Sequence, residues 1–224
     1  MLPHRFQKLK QALCVRQHDL SVLMDNVQKP HNMAAILRSC EAIGIHRAHI
    51  ITSGRLQFNK PKAAAGVLRW TELEKHKQLA TAYQQFRQSG FRIIAAHPST
   101  SATHFREYDY TQPTVIVMGT ERTGLTQAAI EGADELITIP MHGLVQSLNV
   151  SVSAALILYE AQRQREQKGL YNKTRLDRDS KADMNTLFEW AWPRIAAYCR
   201  RNNLEYPELD PDSGQILDMK QLKK

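Results

Sequence analysis

The chain has 224 residues, of which 42% are hydrophobic and 23% charged, as is ordinary for a globular protein with one full domain and extensions. No apolar run approaches the roughly 20 residues of a membrane-spanning helix, and the N-terminus lacks the apolar segment of a signal peptide, so we expect a cytoplasmic protein. The net charge of +8 indicates a polyanionic partner if the basic residues are clustered.

The excess of positive charge lies on the two flanks of the chain. Residues 1–20 hold four basic residues against one acidic, and residues 161–201 hold ten against five, whereas residues 21–160 are nearly neutral. Clustered lysine and arginine bind phosphates and release their counterions, so the flanks are predicted to contact a nucleic acid. The alternative is a solvated helical face that only keeps the protein in solution.

Cysteine and histidine give no sign of a cross-linked or metal-binding protein. The three cysteines are far apart and odd in number, which argues against a disulfide framework. His46 and His49 lie on a predicted strand without a carboxylate or a cysteine beside them. We therefore predict a protein without a bound metal.

The first half of the chain alternates between helices and strands. Apolar spacing predicts an amphipathic helix over 3–17, a strand over 20–27, a helix over 33–43 and a strand over 46–52. Asn32 stands where a helix N-cap is expected, and Gly44 stands where a helix ends. The next segment, 53–69, is rich in glycine, alanine and basic residues and is predicted to be a loop.

The second half continues the alternation. It contains a helix over 79–88, a strand over 91–96, irregular polar chain over 97–110, a strand over 115–118, a helix over 125–133 and a strand over 136–139. Strands that alternate with helices predict an α/β fold with a largely parallel sheet. Ligands of such sheets bind at the carboxyl ends of the strands, where Ala96-His97, Gly119-Thr120 and Ile139–Met141 lie.

A long helix is predicted to begin near Leu148. Its apolar residues follow one another almost without interruption over 150–159, which indicates a helix buried within the protomer or against a second copy. The polar residues at its start allow two interpretations. Ser147 or Asn149 caps the helix, or the segment is a loop that binds a small polar molecule.

The amino-acid composition of the chain changes beyond residue 165. A polar, charged segment leads to a helical region over 184–201, which Pro193 is expected to divide. Its packing face would be formed by Trp190, Trp192, Ile195 and Tyr198. The sequence leaves open whether the tail after Asn202 is ordered. The chain is therefore divided into an N-terminal basic helical extension over 1–19, a core over 20–165 and a C-terminal extension over 166–224.

Three stretches of the core resemble a known family. Residues 30–45 read PHNMAAILRSCEAIGI, residues 114–126 read TVIVMGTERTGLT, and residues 139–161 read IPMHGLVQSLNVSVSAALILYEA. In this order they resemble the three signatures of the SpoU branch of the SPOUT RNA methyltransferases. The resemblance implies a parallel α/β sheet with a C-terminal trefoil knot, a homodimer, S-adenosylmethionine as cofactor, and methyl transfer to a ribose 2′-hydroxyl of RNA.

The resemblance also implies catalytic residues. Arg38 matches the family's catalytic arginine, and further matches to the motifs are Asn32, Glu121, Ser147 and Asn149. A guanidinium stays protonated in proteins, so Arg38 is better suited to stabilising the developing alkoxide and binding the neighbouring phosphate than to acting as a base. The sequence leaves both roles open.

Cofactor and RNA contacts follow from the same matches. The implied cofactor-binding residues are Ala96, His97, Gly119, Ile139, Met141 and Leu148. Arg163 and Arg165 match family positions associated with tRNA contact. The basic N-terminal helix adds Arg5 and Lys8 as RNA-binding residues.

Two features narrow the substrate. The short basic N-terminal helix and the extension after residue 165 resemble the tRNA guanosine 2′-O-methyltransferases that act on position 18 of the D-loop. Relatives that act on ribosomal RNA usually carry a separate N-terminal domain. The alternatives are methylation of another tRNA or rRNA site, or a non-catalytic RNA-binding protein on the same fold. A Rossmann-type oxidoreductase is disfavoured because its GxGxxG fingerprint is absent.

Overall fold

The computed structural model describes residues 1–52, 66, 68–172, 176–177 and 179–218. The chain forms two compact units, one containing residues 17–171 and the other containing residues 1–16 together with 172–224. The predicted core over 20–165 lies inside the first unit, and most of the two predicted extensions makes up the second. The loop predicted over 53–69 falls largely outside the described residues.

The first unit is built on a parallel sheet. Its described strands are β1 Leu20–Asp25, β2 Arg47–Ile51, β3 Glu72–His76, β4 Arg92–Ala96, β5 Thr103–His104, β6 Thr114–Met118 and β7 Glu135–Thr138. They lie in the order β3-β2-β1-β6-β4-β7-β5, and every adjacent pair is parallel. The predicted α/β class with a parallel sheet is confirmed.

The sequence missed the two strands that form the edges of this sheet. β3 reads ELEKH and so offers no apolar run, because an edge strand faces water along one side. β5 is only two residues long and lies within the segment that was predicted to be irregular.

Helices cover both faces of the sheet. The helices of this unit are α2 Pro30–Ala42, α3 Leu79–Gln88, α4 Gln127–Glu131 and α5 Val150–Gln167. Side chains of one strand alternate between two apolar clusters: Val22 and Met24 join the cluster that contains Ile157 of α5, whereas Leu23 joins the one that contains Phe86 of α3. The sheet is therefore buried between α2 and α5 on one face and α3 and α4 on the other.

The start of α2 differs from its prediction. The helix begins at Pro30 and its N-cap is Lys29, so Asn32 lies inside the first turn and is not the cap. Proline is favoured at the first helical position, where its missing N–H costs no hydrogen bond. The predicted end is confirmed: Gly44 has a φ of +83° and the Ile45 amide donates to the Cys40 carbonyl at 2.9 Å.

The second unit joins the two ends of the chain. It contains α1 Pro3–Cys14, α6 Lys181–Ala191 and α7 Pro193–Arg201, so the predicted division at Pro193 is confirmed. The Gln7 side chain donates to the Asp212 carbonyl at 2.6 Å, and the Trp192 indole N–H donates to the Gly214 carbonyl at 2.8 Å. These contacts connect residues 212 and 214 of the tail to α1 and to Trp192.

Two further findings concern the described residues as a group. None of the helices is long and apolar enough to cross a membrane. Cys14, Cys40 and Cys199 are free thiols, as the cysteine spacing predicted. Burial raises the pKa of the Cys40 thiol to about 12, so this side chain behaves as a small apolar residue of the core.

Candidate active site at the strand ends

A cavity of about 330 Å³ lies at the carboxyl ends of β4, β6 and β7. Its walls come from three loops, at residues 96–98, 119–125 and 138–148, and from the first turns of α5. The six residues predicted to bind the cofactor all line it: Ala96, His97, Gly119, Ile139, Met141 and Leu148. The structure thus brings the predicted strand-end residues together, and their role in binding stays a prediction.

The loop after β6 closes tightly on itself. The Thr120 amide donates to the Gly124 carbonyl at 2.9 Å, and the Gly124 amide donates back to the Thr120 carbonyl at 3.0 Å. A Cβ on Gly119 would overlap the carbonyl group of Gly124 and the amide nitrogen of Leu125. Gly124 has a φ of +68°, which glycine adopts without strain. The two glycines let backbone groups form this wall of the cavity.

Asp25 anchors the far end of the same loop. This residue ends β1 and is 1% exposed, and its Oδ2 accepts hydrogen bonds from the Thr126 amide at 2.9 Å and the Thr126 hydroxyl at 2.8 Å. Thr126 is also the N-cap of α4. Sequence reasoning missed Asp25, because its partner lies 101 residues away. The only signal was an acidic residue at the end of an apolar strand.

Asn149 caps α5 and also reaches α2. Its Oδ1 accepts hydrogen bonds from the Ser151 amide at 2.8 Å and the Ser151 hydroxyl at 2.6 Å. Its Nδ2 donates to Oδ1 of Asn32 at 3.4 Å. The capping interpretation therefore holds for Asn149. Ser147 is exposed, lines the cavity and makes no hydrogen bond to another described residue.

Two buried polar atoms in these elements have no partner among the described residues. They are Nδ2 of Asn32, a donor, and Oε1 of Glu121, an acceptor. The other carboxylate oxygen of Glu121 lies 3.6 Å from Nζ of Lys29. An unsatisfied buried group costs about 1–3 kcal/mol, so these atoms are positioned to gain from a polar ligand.

Arg38 lies apart from these contacts. It is exposed on α2, does not line the cavity, and makes no hydrogen bond or ion pair with another described residue. Its guanidinium is therefore available to an anion that approaches from solvent. The structure brings together Asn32 and Asn149, places Glu121 and Ser147 in the cavity wall, and leaves Arg38 outside it.

The basic residues at the end of α5 have different environments. Arg163 is half-exposed and donates to both carboxylate oxygens of Glu160, at 2.9 and 2.6 Å. These hydrogen bonds hold the pKa of Glu160 below its usual range and raise the pKa of Arg163, so both groups stay charged. Arg5 and Lys8 are exposed on α1. All three remain accessible to a phosphate.

Arg165 is buried, and the predicted RNA contact is corrected here. Its side chain is 0% exposed and donates to Gln17 Oε1 at 2.9 Å, to the Tyr110 carbonyl at 2.8 Å and to Asp19. A guanidinium enclosed by protein acceptors cannot reach a phosphate in this conformation. Arg165 instead joins the end of α5 to the segment before β1, which spacing along a helix could not reveal.

We expect Arg165→Met to destabilise the protein by about 3 kcal/mol, because it removes one partner of a buried hydrogen-bonded ion pair. Urea unfolding followed by circular dichroism measures this change. Arg163→Met is the matched control on the same helix, and its urea midpoint should stay close to that of the wild type because the guanidinium of Arg163 is exposed to solvent. Equal stability of the two variants would contradict the structural role of Arg165.

Comparison with known proteins identifies relatives along most of the chain. The family model described as SpoU rRNA Methylase family matches residues 19–159, and that described as SpoU, rRNA methylase, C-terminal matches residues 163–219. The chain is 43% identical over 216 residues to a tRNA (guanosine(18)-2'-O)-methyltransferase of Escherichia coli K12. That match covers 96% of this chain and 94% of the relative.

Solved structures give the same assignment. The A. aeolicus TrmH/SpoU tRNA modifying enzyme superposes with a TM-score of 0.76 at 38% identity, over 86% of this chain and 97% of the other. The SpoU methyltransferase AviRb from Streptomyces viridochromogenes, in complex with the cofactor AdoMet, superposes with a TM-score of 0.60 at 26% identity, over 69% and 64%.

Proposed function

The chain belongs to the SpoU rRNA Methylase family, and from this premise we propose that it methylates the ribose 2′-hydroxyl of guanosine 18 in tRNA. The observation that supports this substrate is the 43% identity to a tRNA (guanosine(18)-2'-O)-methyltransferase over 94% of that enzyme. Membership confirms the resemblance seen in the three sequence motifs. S-adenosylmethionine is the methyl donor.

The cavity at the strand ends fits this cofactor. A volume of about 330 Å³ suits a small ligand, and the walls combine apolar side chains with a few polar groups. Gly119 leaves room for the closely packed backbone of residues 119–125, whose peptide groups can bind polar atoms of the cofactor. We assign this role to Ala96, His97, Gly119, Ile139, Met141 and Leu148.

Catalysis requires that the ribose be aligned with the methyl group and that the charge developing on the 2′-oxygen be stabilised. The bound cofactor supplies a methyl group that its sulfonium has already activated, so the protein must position the ribose for in-line attack. Arg38 binds the phosphate next to the target ribose and stabilises the negative charge that develops on the 2′-oxygen while the hydroxyl proton passes to solvent. The absence of a described partner for its guanidinium supports this role.

The remaining motif residues position the reacting groups. Oε1 of Glu121 accepts a hydrogen bond from the ribose, which satisfies the buried oxygen that has no protein partner. Asn149 caps the start of α5 and donates a hydrogen bond to Asn32. These two contacts fix the position of α2 relative to the loop before α5. Ser147 offers a hydroxyl at the cavity wall to the substrate.

We further propose that the chain after β7 is threaded to form the family's trefoil knot. Two observations support this path. β7 is inserted between β4 and β5 in the sheet, and residues 146–148 return to line the same cavity as residues 119–125. A threaded chain would hold three loops together without a disulfide, as a preorganised cavity requires.

The protein is proposed to act as a homodimer through α5. Val152, Leu156 and Tyr159 are spaced at i, i+4 and i+7 and are 47%, 40% and 54% exposed. Other apolar side chains of α5 are buried within the protomer, whereas this row is exposed. An exposed apolar row on a helix is suited to contact with a second copy of the chain. The sequence left open whether the helix is buried in the protomer or against its twin. The described structure buries one face of α5 in the protomer, and we assign the exposed row to the twin.

Leu156→Glu should convert the dimer to a monomer, because a carboxylate cannot be buried in an apolar interface without a partner. Light scattering coupled to size-exclusion chromatography measures the mass. Gln167→Glu adds the same charge to the same helix outside the row, and it should leave the dimer intact. A monomeric wild-type protein, or a dimeric Leu156→Glu variant, would refute the interface.

The exposed basic side chains of the flanks are proposed to bind tRNA. Arg5→Gln, Lys8→Gln and Arg163→Gln should each weaken tRNA binding and reduce the slope of log K against log salt by about 0.7–0.9 for every lost phosphate contact. Filter binding at several salt concentrations measures the slope. Lys77→Gln changes an exposed cation of the core and should leave the slope unchanged. A triple variant with the wild-type slope would contradict the assignment.

A tRNA substrate also supports the predicted cytoplasmic location.

One assay tests the proposed reaction. The purified protein is incubated with S-adenosylmethionine and a tRNA transcript, and the digested nucleosides are identified by mass spectrometry. We expect a methyl group on the ribose of guanosine 18 and none on a transcript that carries adenosine there. A methyl group on a base, on an anticodon ribose or only on ribosomal RNA would change the substrate, and no transfer would favour the non-catalytic RNA-binding alternative.

A further inference from the structure

Three potential metal ligands meet at the edge of the sheet. His49 of β2 and Glu74 of β3 are register partners, and His76 follows two residues along β3 on the same face. Nδ1 of His49 lies 2.9 Å from Nε2 of His76. Oε2 of Glu74 lies 3.7 Å from Nδ1 of His49, and Oε1 of Glu74 lies 3.9 Å from Nε2 of His76. Within the described part of the chain, these ligand atoms all lie within 4.8 Å of one another.

The surroundings of this cluster are partly closed. Both histidines are 8% exposed, and the Phe86 ring of α3 packs edge-on against His49 with a centroid distance of 4.8 Å. The Glu74 side chain is 39% exposed, so the cluster is open to solvent on that side. Arg47 donates to Oε2 of Glu74 at 3.3 Å, and it lies closer to the carboxylate of Glu72, at 2.7 Å.

We propose that His49, Glu74 and His76 form a binding site for one divalent transition-metal ion, with zinc as the first candidate. Two imidazole nitrogens and one carboxylate oxygen are a ligand set that zinc accepts, with water in the fourth position on the open side. Bond lengths of about 2.0–2.1 Å place tetrahedral ligand atoms roughly 3.3 Å apart. The three ligand atoms, which lie within 4.8 Å of one another, would therefore move by up to about 1.5 Å relative to one another to hold one ion.

The histidine pair as it stands is a hydrogen bond, in which one ring donates its proton to the other. Binding of the ion replaces that bond, since both facing nitrogens then donate a lone pair to the metal. The shared proton is exchanged through solvent onto the other nitrogen of the donor ring, so both imidazoles stay neutral. A hydrogen-bonded pair without metal affinity is therefore the competing explanation. Sequence reasoning found no ligand set because two of the three residues lie on the edge strand that it missed.

The ion would have a structural role distinct from methyl transfer. It would join the polar edge strand β3 to β2, whereas the cavity lies on β4, β6 and β7, with β1 between the two sites. Loss of the ion should therefore lower stability without abolishing the reaction.

The test uses the full-length protein after removal of metals with a chelator. Calorimetric titration with Zn²⁺ should give one ion per chain, and Co²⁺ should produce the absorption bands of a tetrahedral site. Glu74→Gln keeps the side-chain shape and should lower zinc affinity at least about tenfold. His49→Gln and His76→Gln should remove binding, whereas His4→Gln changes an exposed histidine of α1 and should bind as wild type does.

Several outcomes would overturn the site. They are less than one ion per chain for the wild type, equal affinity in the wild type and Glu74→Gln, or loss of binding in His4→Gln. Because the two histidines are buried, their variants could fail to fold, and circular dichroism checks this. The wild-type stoichiometry, the cobalt spectrum and the Glu74→Gln affinity decide the question without them.

Discussion

Arg38→Ala is expected to lower the rate of methyl transfer by at least about a thousandfold while S-adenosylmethionine affinity stays within a few-fold of wild type. The guanidinium is exposed, has no partner among the described residues and lies outside the cavity wall, so its removal disturbs neither the fold nor the cofactor site. We expect the substitution to remove only the proposed contacts of Arg38 with RNA and with the developing charge. Arg38→Lys should be nearly as damaging if two parallel hydrogen bonds to phosphate are needed.

Single-turnover rates with tRNA measure the chemical step, and calorimetry measures cofactor binding. Lys77→Ala is the control, because it removes an exposed cation of the same unit at a position outside the cavity. If Arg38→Ala loses cofactor binding together with activity, Arg38 is a structural residue and the proposed mechanism is wrong.

Gly119→Ala is expected to lower cofactor affinity by about a hundredfold. The added methyl group would overlap the backbone of Gly124 and Leu125, and backbone atoms cannot rotate away as a side chain does. Forcing the loop apart costs about 3 kcal/mol, which corresponds to that loss of affinity if the strain falls on the bound form. Calorimetric titration with S-adenosylmethionine measures the affinity.

Gly143→Ala is the matched control for this substitution. It lies in the loop between β7 and α5, where nothing is within 4 Å of an added Cβ, and its φ is not in the left-handed region. Its cofactor affinity should match that of the wild type. Wild-type affinity in Gly119→Ala would mean that the loop can move without cost and does not form the binding wall.

Local patterns in the sequence predicted those elements whose ends carry their own signals. The helix over 79–88 was predicted with both ends correct, because an amphipathic run there meets Gly90, which adopts a φ of +78°. β3 was missed because its sequence reflects an exposed sheet edge and not a buried core. The start of α2 was displaced because Asn32 and Pro30 both carry helix-start signals.

The part of the site that lies at strand ends could be predicted from the order of the strands alone. Strand ends of a parallel sheet converge, so residues 96–97, 119–120 and 139–141 could be grouped in advance. Asp25 and Arg165 depend on partners more than 100 residues away, and periodicity cannot tell a buried arginine from an exposed one. The resemblance supplied the matched position of Arg165 but not its burial.

The bonds of Arg165 also constrain when the core can fold during synthesis. They connect residue 165 to residues 17 and 19, so the beginning of the core is joined to its end across 146–148 residues. Such distant contacts form slowly, since the intervening chain must first be closed into a loop. On the ribosome, the side chains of Gln17 and Asp19 therefore gain their Arg165 partner only after α5 has left the exit tunnel. A nascent chain stalled before residue 165 is expected to be digested by protease, whereas one that exposes all of α5 is expected to resist it.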